Sequence, residues 1–495
     1  MTSLASIRDA LAAAGLLVRA PDATPPIAGL TDDSRKVKPG TLFCAVRGRT
    51  ADGHAFLNDA VRRGAVAVIV AAPASVPVPQ VVVSDTRRAL AVAAARWHGD
   101  PATTMRLVAV TGTNGKSTTV ALIRHILNER GDVGSVGTLG AFDGSGTSVD
   151  PDQALTTPGA PELHAVFRAL RDRGVQTVVM EASSHALDQQ RLAGLRYQAA
   201  VFTNLTHDHL DYHGDVQAYL AAKLSLADLV VPGGAVITNA DDPAWRALPD
   251  SPRWRRTTFG RFSRADVRGT RADLDATGAN IEIAFSETTV TARLPLPGEF
   301  NVSNALGAAA AAWTLGMPPE HIARRLASAP QVAGRMERLV SDEFTVLRDY
   351  AHTPDALERA IRALRPLTRG RLFVLFGCGG DRDRRKRPVM GRIAARGADV
   401  VIVTSDNPRT EDPERIIDEI EEGMEGIGHL RITDRREAIH RAVALLAPGD
   451  CLLLAGKGHE TYQVVGTERL PMDERLIVTE ALAGRGARGP AGTTR

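Results

Sequence analysis

The stretch AVTGTNGKSTTV, residues 109–120, decides the fold, because it links an apolar run to a helical run through a glycine-rich loop. The preceding run RLVAV is typical of a buried strand, and the following STTVALIRHILNERG has helical periodicity up to Gly131. Glycines allow several backbone N–H groups to point at one anion, and a helix N-terminus adds about half a positive charge. The stretch therefore predicts a phosphate-binding loop between a strand and a helix.

The spacing of this loop departs from the usual pattern. The Walker A sequence G-x-x-x-x-G-K-[ST] requires glycine at position 110, where this chain has Val110. The alternative is a glycine-rich turn that only connects strand to helix, but strand, TGTNGKS and helix together favour nucleotide binding. Lys116 would bridge terminal phosphates and the Ser117 hydroxyl would meet Mg²⁺. The residues predicted to bind the nucleotide here are Gly112, Thr113, Asn114, Gly115, Lys116 and Ser117.

Composition sets limits on the class of protein. A length of 495 residues suggests about three domains. Lys and Arg total 60 against 57 Asp and Glu, a balance that argues neither for nor against a nucleic-acid partner. Cys44, Cys378 and Cys451 lie far apart, which excludes a zinc ribbon and a disulfide framework and fits a reducing cytosol. No apolar run approaches the ~20 residues that span a bilayer, and Arg8 interrupts the apolar N-terminal pattern, so we expect an amphipathic helix there and a cytoplasmic protein.

Strand and helix patterns alternate in two long regions, which predicts an α/β protein of three domains. Residues 1–100 contain short strands, turns and a closing helix, and predict an N-terminal α/β domain. Residues 101–335 follow as a central domain of the P-loop type with a parallel sheet. Residues 336–495 repeat the alternation and predict a Rossmann-like C-terminal α/β domain. The tail 484–495 lacks apolar anchors and is predicted to be disordered.

Metal candidates stand at the ends of two further strands. Glu181 ends the apolar run TVVME, where a buried carboxylate is costly unless it meets a cation. The segment NLTHDHLDYHG supplies His207, His209 and His213. Three histidines suggest zinc, but the spacings H-D-H and H-x-x-x-H lack the usual ligand pattern of a tetrahedral site. One histidine at a Mg²⁺ site, with the others capping or packing, is the favoured interpretation.

These motifs, in this order, resemble a known family. TGTNGKST, EASSH, NLTHDHLDYHG, PLPGEFNVSNALGAAAAA and AGRMERL are similar to the motifs of the ATP-dependent Mur ligases of peptidoglycan synthesis. The resemblance runs from about Thr31 to about Glu460, and the spelling TGTNGKS, shared with folylpolyglutamate synthases, accounts for Val110. It implies an amide ligase that uses ATP and Mg²⁺ and activates a carboxylate as an acyl phosphate.

The resemblance also implies roles for individual residues near the phosphate loop. Ser117 would bind the Mg²⁺ of the nucleotide, and Glu181 and His209 would bind a second Mg²⁺. Lys223 matches the lysine that the family carbamylates, and its carbamate would be a further metal ligand. Together with Lys116 these residues form the predicted catalytic set. From the residues alone, Lys223 is one lysine on an Ala/Leu-rich helix, and a solvated or paired surface lysine is the local alternative.

Two groups of residues match contacts to ATP and to the UDP-sugar substrate in the family. The ATP group is Asn301, Asn304, Arg335 and Asp349, with Asp349 near the ribose. Helix capping for the asparagines and surface pairing for the other two are the local alternatives. The group for the UDP-muramoyl dipeptide is Ser34, Thr156, Thr157, Ser183, Gln189 and Arg191. Read locally, TTP is a turn and QQR a polar helix end.

Choice of the amino acid is predicted to lie in three strand-end loops of the last domain, GCGGDRDRRKRPVMGR, SDNPRTEDP and GKGHETY. The first lacks a GxGxxG pattern because residue 382 is arginine, and Gly456-Lys457-Gly458 lacks the GK[ST] ending. Segment 381–392 has six basic and two acidic residues. A nucleic-acid-binding patch is one interpretation of this segment. A solvated face with one or two substrate-binding arginines is favoured, because no aromatic residues stand between the basic ones.

The sequence Asp406-Asn407-Pro408-Arg409 matches the DNPR motif of family members that add meso-diaminopimelate. Diaminopimelate differs from lysine by a second carboxylate, and Arg409 offers a planar fork for it. An Asx-Pro turn that opens the next helix is the local alternative, and the loop is expected to serve both purposes. The residues predicted to bind diaminopimelate are Arg382, Asp406, Asn407, Pro408, Arg409, Gly456 and Glu460.

The predicted reaction therefore adds meso-diaminopimelate to the D-glutamate of a UDP-N-acetylmuramoyl dipeptide. A lysine-adding Mur ligase and a folylpolyglutamate synthase are the alternatives within the same chemistry. A P-loop ATPase acting on nucleic acid, or a nucleotide-gated binding protein without ligase activity, are alternatives of another class. We expect a monomer with neither nucleic acid nor membrane as partner.

Overall fold

The computed structural model describes residues 3–48, 51–150, 153 and 155–487, which form two compact units. The first unit consists of Met1–Leu205, His213–Phe259 and Gly307–Met317. The second consists of Thr206–Tyr212, Gly260–Leu306 and Pro318–Arg495. Within the described residues, no helix is long and apolar enough to cross a membrane.

The first hundred residues build a five-stranded sheet of their own. Its order is β1-β5-β4-β3-β2, parallel from β2 to β5 with β1 antiparallel at the edge. Apolar clusters cover both faces, which explains why strands such as AVAVIV are apolar throughout. The predicted N-terminal amphipathic helix is confirmed, with Leu4, Ile7 and Leu11 buried. The elements are α1 (Leu4–Ala13), β1 (Leu17–Arg19), β2 (Gly29–Thr31), β3 (Thr41–Cys44), α2 (Leu57–Arg62), β4 (Ala65–Val70), β5 (Gln80–Val83) and α3 (Thr86–Trp97).

A second sheet carries the phosphate loop. The strands of the first unit lie in the order β13-β12-β11-β6-β10-β7-β8-β9, parallel from β13 to β7. Glu181 pairs with Val110, and Phe202 pairs with Thr111, so β6, β10 and β11 end at the same edge. The elements are β6 (Arg106–Thr111), α4 (Lys116–Leu127), β7 (Val133–Gly137), β8 (Gly140–Phe142), β9 (Ser148–Asp150), α5 (Ala160–Asp172), β10 (Thr177–Glu181), α6 (Ser184–Asp188), β11 (Tyr197–Phe202), α7 (Leu210–His213), α8 (Val216–Leu224), β12 (Val230–Asn239) and β13 (Arg255–Gly260).

An antiparallel meander follows, to which the sequence analysis assigned no elements. Its strands alternate buried and exposed residues, as expected of a sheet with one solvated face. Helix α10 packs against the third strand. The elements are β14 (Val267–Asp275), β15 (Gly278–Phe285), β16 (Thr288–Leu294), α9 (Glu299–Thr314) and α10 (Pro319–Ala327).

The last sheet belongs to the second unit and has the order β17-β18-β22-β19-β20-β21, parallel from β18 to β21. Both faces are covered by apolar clusters, as the runs LFVLF and CLLLA predict. The elements are β17 (Glu337–Ser341), β18 (Thr345–Asp349), α11 (Pro354–Leu364), β19 (Leu372–Phe376), α12 (Lys386–Gly397), β20 (Val400–Val403), α13 (Pro413–Glu421), β21 (Leu430–Arg431), α14 (Arg435–Leu445), β22 (Cys451–Ala455), β23 (Tyr462–Val465), β24 (Glu468–Pro471) and α15 (Glu474–Ala487).

The last helix corrects one prediction about the tail. Disorder is predicted for residues 484–495, but α15 continues through Ala487, so the first four of these residues are helical. Apolar residues earlier in the helix, Ile477 and Val478, are buried in the second unit and anchor it. Residues 488–495 lie outside the described residues.

Candidate active site

The phosphate loop joins β6 to α4 with the backbone that the glycines allow. Gly112 and Gly115 have φ of +145° and +86°, which lie in the range that favours glycine. A Cβ on Gly112 would collide with the Thr203 hydroxyl at the end of β11. Ser117 is buried in the first turn of α4. The strand, loop and helix predicted from the sequence are therefore present, with the helix N-terminus at the loop.

The residues after β11 fix the loop in place. Asn204 accepts from the Asn114 N–H through Oδ1 at 2.9 Å and donates through Nδ2 to the Asn114 carbonyl at 3.0 Å. The Thr203 hydroxyl also donates to the Asn114 carbonyl, at 2.7 Å. The Thr113 N–H donates to the Asn204 carbonyl at 2.7 Å. Sequence reasoning missed Thr203 and Asn204 as supports, although both stand in the motif FTNLTH at the end of a predicted strand.

Two lysine amines meet the same loop. Lys116 Nζ donates to the carbonyls of Gly112 and Thr113 at 3.0 and 2.8 Å. Lys223 Nζ donates to the Gly112 carbonyl at 2.8 Å and lies 4.4 Å from the centre of the Tyr219 ring. Lys223 is only 1% exposed, so the local alternative of a solvated surface lysine is wrong. Both predicted catalytic lysines therefore belong to the phosphate-loop region of the first unit.

Glu181 ends β10 beside this region and is almost fully buried. Its carboxylate accepts from the Thr138 N–H at 2.7 Å and from the Thr138 hydroxyl at 3.1 Å. A Cβ on Gly137 would collide with this carboxylate, so glycine is needed there. Two hydrogen bonds offset only part of the cost of burying a carboxylate, and a cation would offset more.

The residues predicted to hold the UDP-muramoyl dipeptide surround Glu181. The Thr157 hydroxyl donates to the Glu181 carbonyl at 2.7 Å and accepts from the Ser183 N–H at 3.1 Å. Arg191 donates to the Thr157 carbonyl at 2.8 Å. Its Nε and Nη2 atoms both donate to Gln189 Oε1, at 3.0 and 2.6 Å. The Thr156 hydroxyl shares a hydrogen bond with that of Thr138 at 3.0 Å. Five of the six residues named for this substrate are therefore brought together: Thr156, Thr157, Ser183, Gln189 and Arg191.

Ser34, the sixth, lies in the N-terminal sheet region, in a short turn after β2. It is 9% exposed, and Asp33 caps the turn by accepting from the Arg35 N–H at 3.0 Å. Reduced hydration raises the pKa of the neighbouring Asp32 carboxyl above its usual value. The turn thus places one buried hydroxyl after a parallel strand, next to a carboxyl group that is still exposed.

The histidines do not share one environment. In the first unit, His213 Nε2 lies 3.1 Å from the Ser184 hydroxyl and its ring packs near Tyr219. In the second unit, His209 has φ of +54°, is 46% exposed and lies 3.5 Å from Asp208. Among the described residues, no group of three His, Cys, Asp or Glu side chains is placed to hold a metal ion. The favoured interpretation, in which most of these histidines cap or pack, fits His213.

The predicted ATP residues of the second unit lie in two places, with Asn301 and Asn304 buried and Arg335 and Asp349 half-buried. Asn301 and Asn304 lie in α9, where Asn301 donates to the Pro297 carbonyl at 2.8 Å and Asn304 donates to Asn301 at 3.2 Å. Both asparagines lie inside α9, which begins at Glu299, so neither is at the N-cap position and the helix-capping alternative is wrong for both. Asp349 ends β18 and accepts from the Met336 N–H at 2.7 Å. Burial raises the pKa of Asp349 to about 6, against the opposing charge of Arg335.

The DNPR loop follows β20, and Arg409 at its end adopts φ of +52°. Its N–H donates to the Val464 carbonyl at 3.1 Å, and its carbonyl accepts from the Gly466 N–H at 2.7 Å. The guanidinium donates through Nη1 to the Gly380 carbonyl at 2.8 Å. The loop after β19 and the hairpin β23–β24 therefore hold Arg409 from two sides.

The GKGHE loop after β22 meets the DNPR loop. A Cβ on Gly456 would lie 2.5 Å from Asp406 Oδ2, so only glycine allows this approach. Asn407 donates through Nδ2 to Glu460 Oε2 at 2.9 Å. Lys457, which sequence reasoning did not assign, donates to Asn407 Oδ1 at 2.8 Å and to Glu460 Oε2 at 2.7 Å. Of the predicted diaminopimelate residues, Arg382 differs in being exposed, and it donates to the Asp381 carbonyl.

The basic segment 381–392 is only partly a solvated face. Arg387 is fully buried and bonds Glu411 through both terminal nitrogens at 2.9 Å. It also donates to Glu419 at 2.7 Å. The bonds from Arg387 hold the pKa of Glu411 below its usual value, and hydrogen bonds from Arg384 and Arg387 do the same for Glu419. The prediction of a solvated face is therefore wrong for Arg387, because its charge is used internally.

Family models match the chain in three consecutive parts: the Mur ligase family, catalytic domain over residues 26–99, the Mur ligase middle domain over 110–312, and the Mur ligase, glutamate ligase domain over 334–458. Over 485 residues the chain is 45% identical to the UDP-N-acetylmuramoyl-L-alanyl-D-glutamate–2,6-diaminopimelate ligase of Chlorobium phaeobacteroides, covering 94% of each chain. The chain belongs to the Mur ligase family. The resemblance stated from the motifs is confirmed.

Solved structures of Mur ligases share the fold of this one. A structure of UDP-N-acetylmuramoyl-L-alanyl-D-glutamate–2,6-diaminopimelate ligase is 32% identical, with a TM-score of 0.66 over 93% of this chain and 96% of that one. The MurF ligase of Thermotoga maritima in complex with ADP is 20% identical, with a TM-score of 0.63 over 93% and 98% of the two chains. The predicted α/β fold with a parallel-sheet core is confirmed for this Mur ligase.

Proposed function

We propose that this Mur ligase forms the amide between the γ-carboxylate of D-glutamate in UDP-N-acetylmuramoyl-L-alanyl-D-glutamate and an amine of meso-2,6-diaminopimelate. ATP is converted to ADP and phosphate in the reaction. The observation that carries the proposal is the loop Asp406–Arg409, joined to Glu460 by the Asn407 amide. This arrangement occurs in a chain 45% identical, over almost its whole length, to a ligase of that name.

Phosphoryl transfer makes the carboxylate reactive. A carboxylate resists attack because of its resonance and negative charge, whereas an acyl phosphate has a good leaving group. The protein contributes by orienting the reactants and by neutralising charge in a site that excludes water. The N-terminus of α4, which begins at the loop, and the amine of Lys116 are the groups of this chain that would hold the ATP phosphates. Asn301, Asn304, Arg335 and Asp349 would complete the ATP contacts.

The donors of the first unit fit Mg²⁺. Glu181 is buried at the edge from which the phosphate loop projects, and among the described residues Thr138 gives its carboxylate two hydrogen bonds that offset part of the cost of burial. Ser117, buried in the first turn of α4, supplies a hydroxyl. The family resemblance implies His209, a residue of the second unit, as a further ligand. When bound, Mg²⁺ neutralises phosphate charge. Carbamylation of Lys223 would convert a buried cation beside the Gly112 carbonyl into an anion suited to the same metal.

Each remaining substrate is assigned to its own cluster. The hydroxyls of Thr156 and Thr157 and the guanidinium of Arg191 would orient the dipeptide beside Glu181, with Ser34 binding the uridine nucleotide. For diaminopimelate, Arg409 and Arg382 would hold the distal carboxylate and Glu460 the distal ammonium. Lysine lacks that carboxylate and would leave Arg409 without an anion.

We place the reaction in the cytoplasm, where ATP is available, and propose that the enzyme acts as a monomer without nucleic acid. The basic segment 381–392 supports the absence of a nucleic-acid partner, because no aromatic residues stand between its basic residues.

Phosphate release from ATP tests the function directly. The enzyme is given ATP, Mg²⁺ and the UDP-muramoyl dipeptide with meso-diaminopimelate, with L-lysine or with no amine, and the product mass is measured in parallel. We expect release and tripeptide formation with diaminopimelate alone. Equal turnover with lysine would keep the ligase but refute the role of Arg409. Release that does not depend on the dipeptide would refute the proposed reaction.

A further inference from the structure

Lys457 is a buried cation at the predicted amino-acid site, where it contacts Asn407 and Glu460. It follows β22 between two glycines with φ of +111° and +55°. A Cβ on Gly456 would meet the Asp406 carboxylate, and one on Gly458 would lie 2.7 Å from Tyr350 Cβ. These glycines let the backbone approach its neighbours closely enough to enclose the lysine, whose exposure is 0%.

The contacts of Lys457 form a closed triangle with Asn407 and Glu460. Nζ donates to Asn407 Oδ1 at 2.8 Å and to Glu460 Oε2 at 2.7 Å, and Asn407 Nδ2 donates to the same Glu460 oxygen at 2.9 Å. Asn407 Oδ1 also accepts from the Val464 N–H at 2.9 Å, which fixes the orientation of its amide. Lys457 therefore sets the position of two residues of the DNPR and GKGHE motifs at once.

The charge of Lys457 changes what Glu460 can attract. Glu460 alone would be a simple anion, equally suited to any ammonium group. With Nζ at 2.7 Å, the pair is neutral as a whole, and Glu460 Oε1 receives no hydrogen bond from the other residues that the structure describes. Arg409 adds a second positive charge on the adjacent loop. Asp406, whose carboxylate lies against Gly456, adds a second negative charge, so these four groups are neutral together. A substrate with an unbalanced ammonium therefore finds no uncompensated anion, whereas a zwitterionic end brings a carboxylate for Arg409 along with its ammonium.

From this geometry we propose that Lys457 is a specificity-determining residue that orients Glu460 and Asn407 and disfavours amines whose far end carries only positive charge. The proposal rests on the proposed function and extends it, because it makes the exclusion of lysine an electrostatic property of the GKGHE loop as well as of Arg409. It predicts that removal of the distal ammonium group from lysine improves binding to the wild-type enzyme.

Two competitors of meso-diaminopimelate test this in the ligase assay: L-lysine and L-norleucine, which has the same carbon chain without the distal amine. For the wild-type enzyme we expect norleucine to inhibit at a concentration about tenfold lower than lysine. In Lys457→Met the order reverses, because Glu460 is then an uncompensated anion. The KM for ATP and that for the dipeptide stay unchanged. Lys386→Met is the matched control, since it removes a half-buried lysine of the same unit that bonds only the His352 carbonyl among the described residues.

The outcomes separate this proposal from the proposed function. Tighter binding of lysine than of norleucine to the wild-type enzyme would overturn the proposal, and this comparison needs no variant to fold. An equal loss of affinity for both competitors in Lys457→Met would also overturn it, because that result describes a purely structural lysine. A wild-type enzyme that releases no phosphate with dipeptide and diaminopimelate would refute the proposed function itself.

Discussion

At the scale of single residues, Arg409 shows how a local conformational cost coincides with a proposed function. A left-handed backbone costs a non-glycine residue about 1–2 kcal/mol, and Arg409 has φ of +52°. Hydrogen bonds from its backbone to Val464 and Gly466 hold that conformation. The strained backbone directs the guanidinium toward Gly380, at the loop where the distal carboxylate of the amino acid is proposed to bind.

Arg409→Ala is expected to raise the KM for diaminopimelate at least about tenfold and to lower discrimination against lysine, because the bidentate partner of the distal carboxylate is lost. Arg409→Lys keeps the charge without the planar fork, so it should restore only part of the discrimination. The measurement is kcat/KM with each amine at saturating ATP and dipeptide. An unchanged preference for diaminopimelate in Arg409→Ala would contradict this account.

Lys116→Ala is expected to lower turnover at least about a thousandfold, because the amine that neutralises developing phosphate charge is removed. The same variant should still bind the UDP-muramoyl dipeptide, whose proposed contacts surround Glu181 and Thr157. Phosphate release and a dipeptide-binding titration measure the two effects. Lys386→Ala, which removes a half-buried lysine bonded to the His352 carbonyl, is the control and should keep wild-type turnover. Substantial turnover in Lys116→Ala would refute the assignment of the phosphate loop.

His164 gives a pH dependence of stability whose sign can be derived. It is buried in α5, where neither ring nitrogen has a hydrogen-bond partner among the described residues, and burial lowers its pKa to about 3. Because the folded-state pKa lies below the unfolded value of about 6.5, stability is full above pH 6.5 and is lost as the pH falls. At pH 5 the loss from this group is about 2 kcal/mol.

His164→Leu should remove that loss. The free energy of unfolding of the variant, relative to the wild type, is expected to increase by about 2 kcal/mol between pH 7.5 and pH 5. Denaturant unfolding at both pH values is the measurement, and the exposed His440→Leu is the control. A difference between variant and wild type that does not change with pH would show that His164 is protonated inside the fold.

At the scale of elements, buried ion pairs connect the loops that follow the parallel strands. Arg387, at the start of α12, bonds Glu411 in the DNPR-side loop and Glu419 in α13. Glu411 in turn accepts from the Asp381 N–H at 2.5 Å in the loop after β19. One arginine therefore fixes the distance between two of the three loops proposed to bind the amino acid.

Arg387→Met should lower the free energy of unfolding by about 3 kcal/mol, because two carboxylates lose their buried partner while remaining partly hydrated. The KM for diaminopimelate should rise with it, since the loops lose their common support. Arg385→Met is the matched control: Arg385 is a neighbouring arginine, 85% exposed and paired only with Asp383 among the described residues. Its effect should stay within about 0.5 kcal/mol. Equal effects of the two substitutions would refute the supporting role.

The strands and helices of the two parallel sheets that follow residue 100 could be predicted from the sequence because their patterns are strong. Strands buried on both faces, such as Leu372–Phe376 and Cys451–Ala455, appear as uninterrupted apolar runs. The meander over residues 267–294 alternates polar and apolar residues with several charges, and its strands are held mainly by pairing with each other. Such strands are stabilised by contacts with neighbouring strands, which local sequence patterns do not reveal, and the sequence therefore does not predict them.

Site residues follow a similar division. Motif residues could be named from the sequence, since their chemistry and order are distinctive. The supporting contacts of Asn204, Lys457 and Arg387 could not, because each depends on which loops the parallel sheets bring to one edge. A lysine inside GKGHE and an arginine inside a basic run give no local sign of burial.

At the scale of the whole molecule, each of the three sheets with parallel strands carries predicted substrate residues just beyond the carboxyl ends of its strands. Ser34 follows β2, Glu181 ends β10, and the DNPR loop follows β20. Parallel strands direct all their carboxyl ends to one edge, so each of the three sheets can present loops to a substrate at that edge. The contacts within each cluster are complete inside one unit, as with Arg191 and Thr157, or Asn407 and Glu460.

Hydrogen exchange measured by mass spectrometry should therefore separate the substrates by unit. In the presence of a non-hydrolysable ATP analogue, the UDP-muramoyl dipeptide should protect residues 155–160 and 181–191 of the first unit. Adding meso-diaminopimelate should protect residues 377–382, 406–411 and 456–466 of the second unit, because loops that gain ligand contacts open less often. L-lysine at the same concentration is the control and should leave these loops unprotected. Protection by diaminopimelate confined to the first unit would move its binding site away from the DNPR and GKGHE loops, and with it the whole account of amino-acid choice.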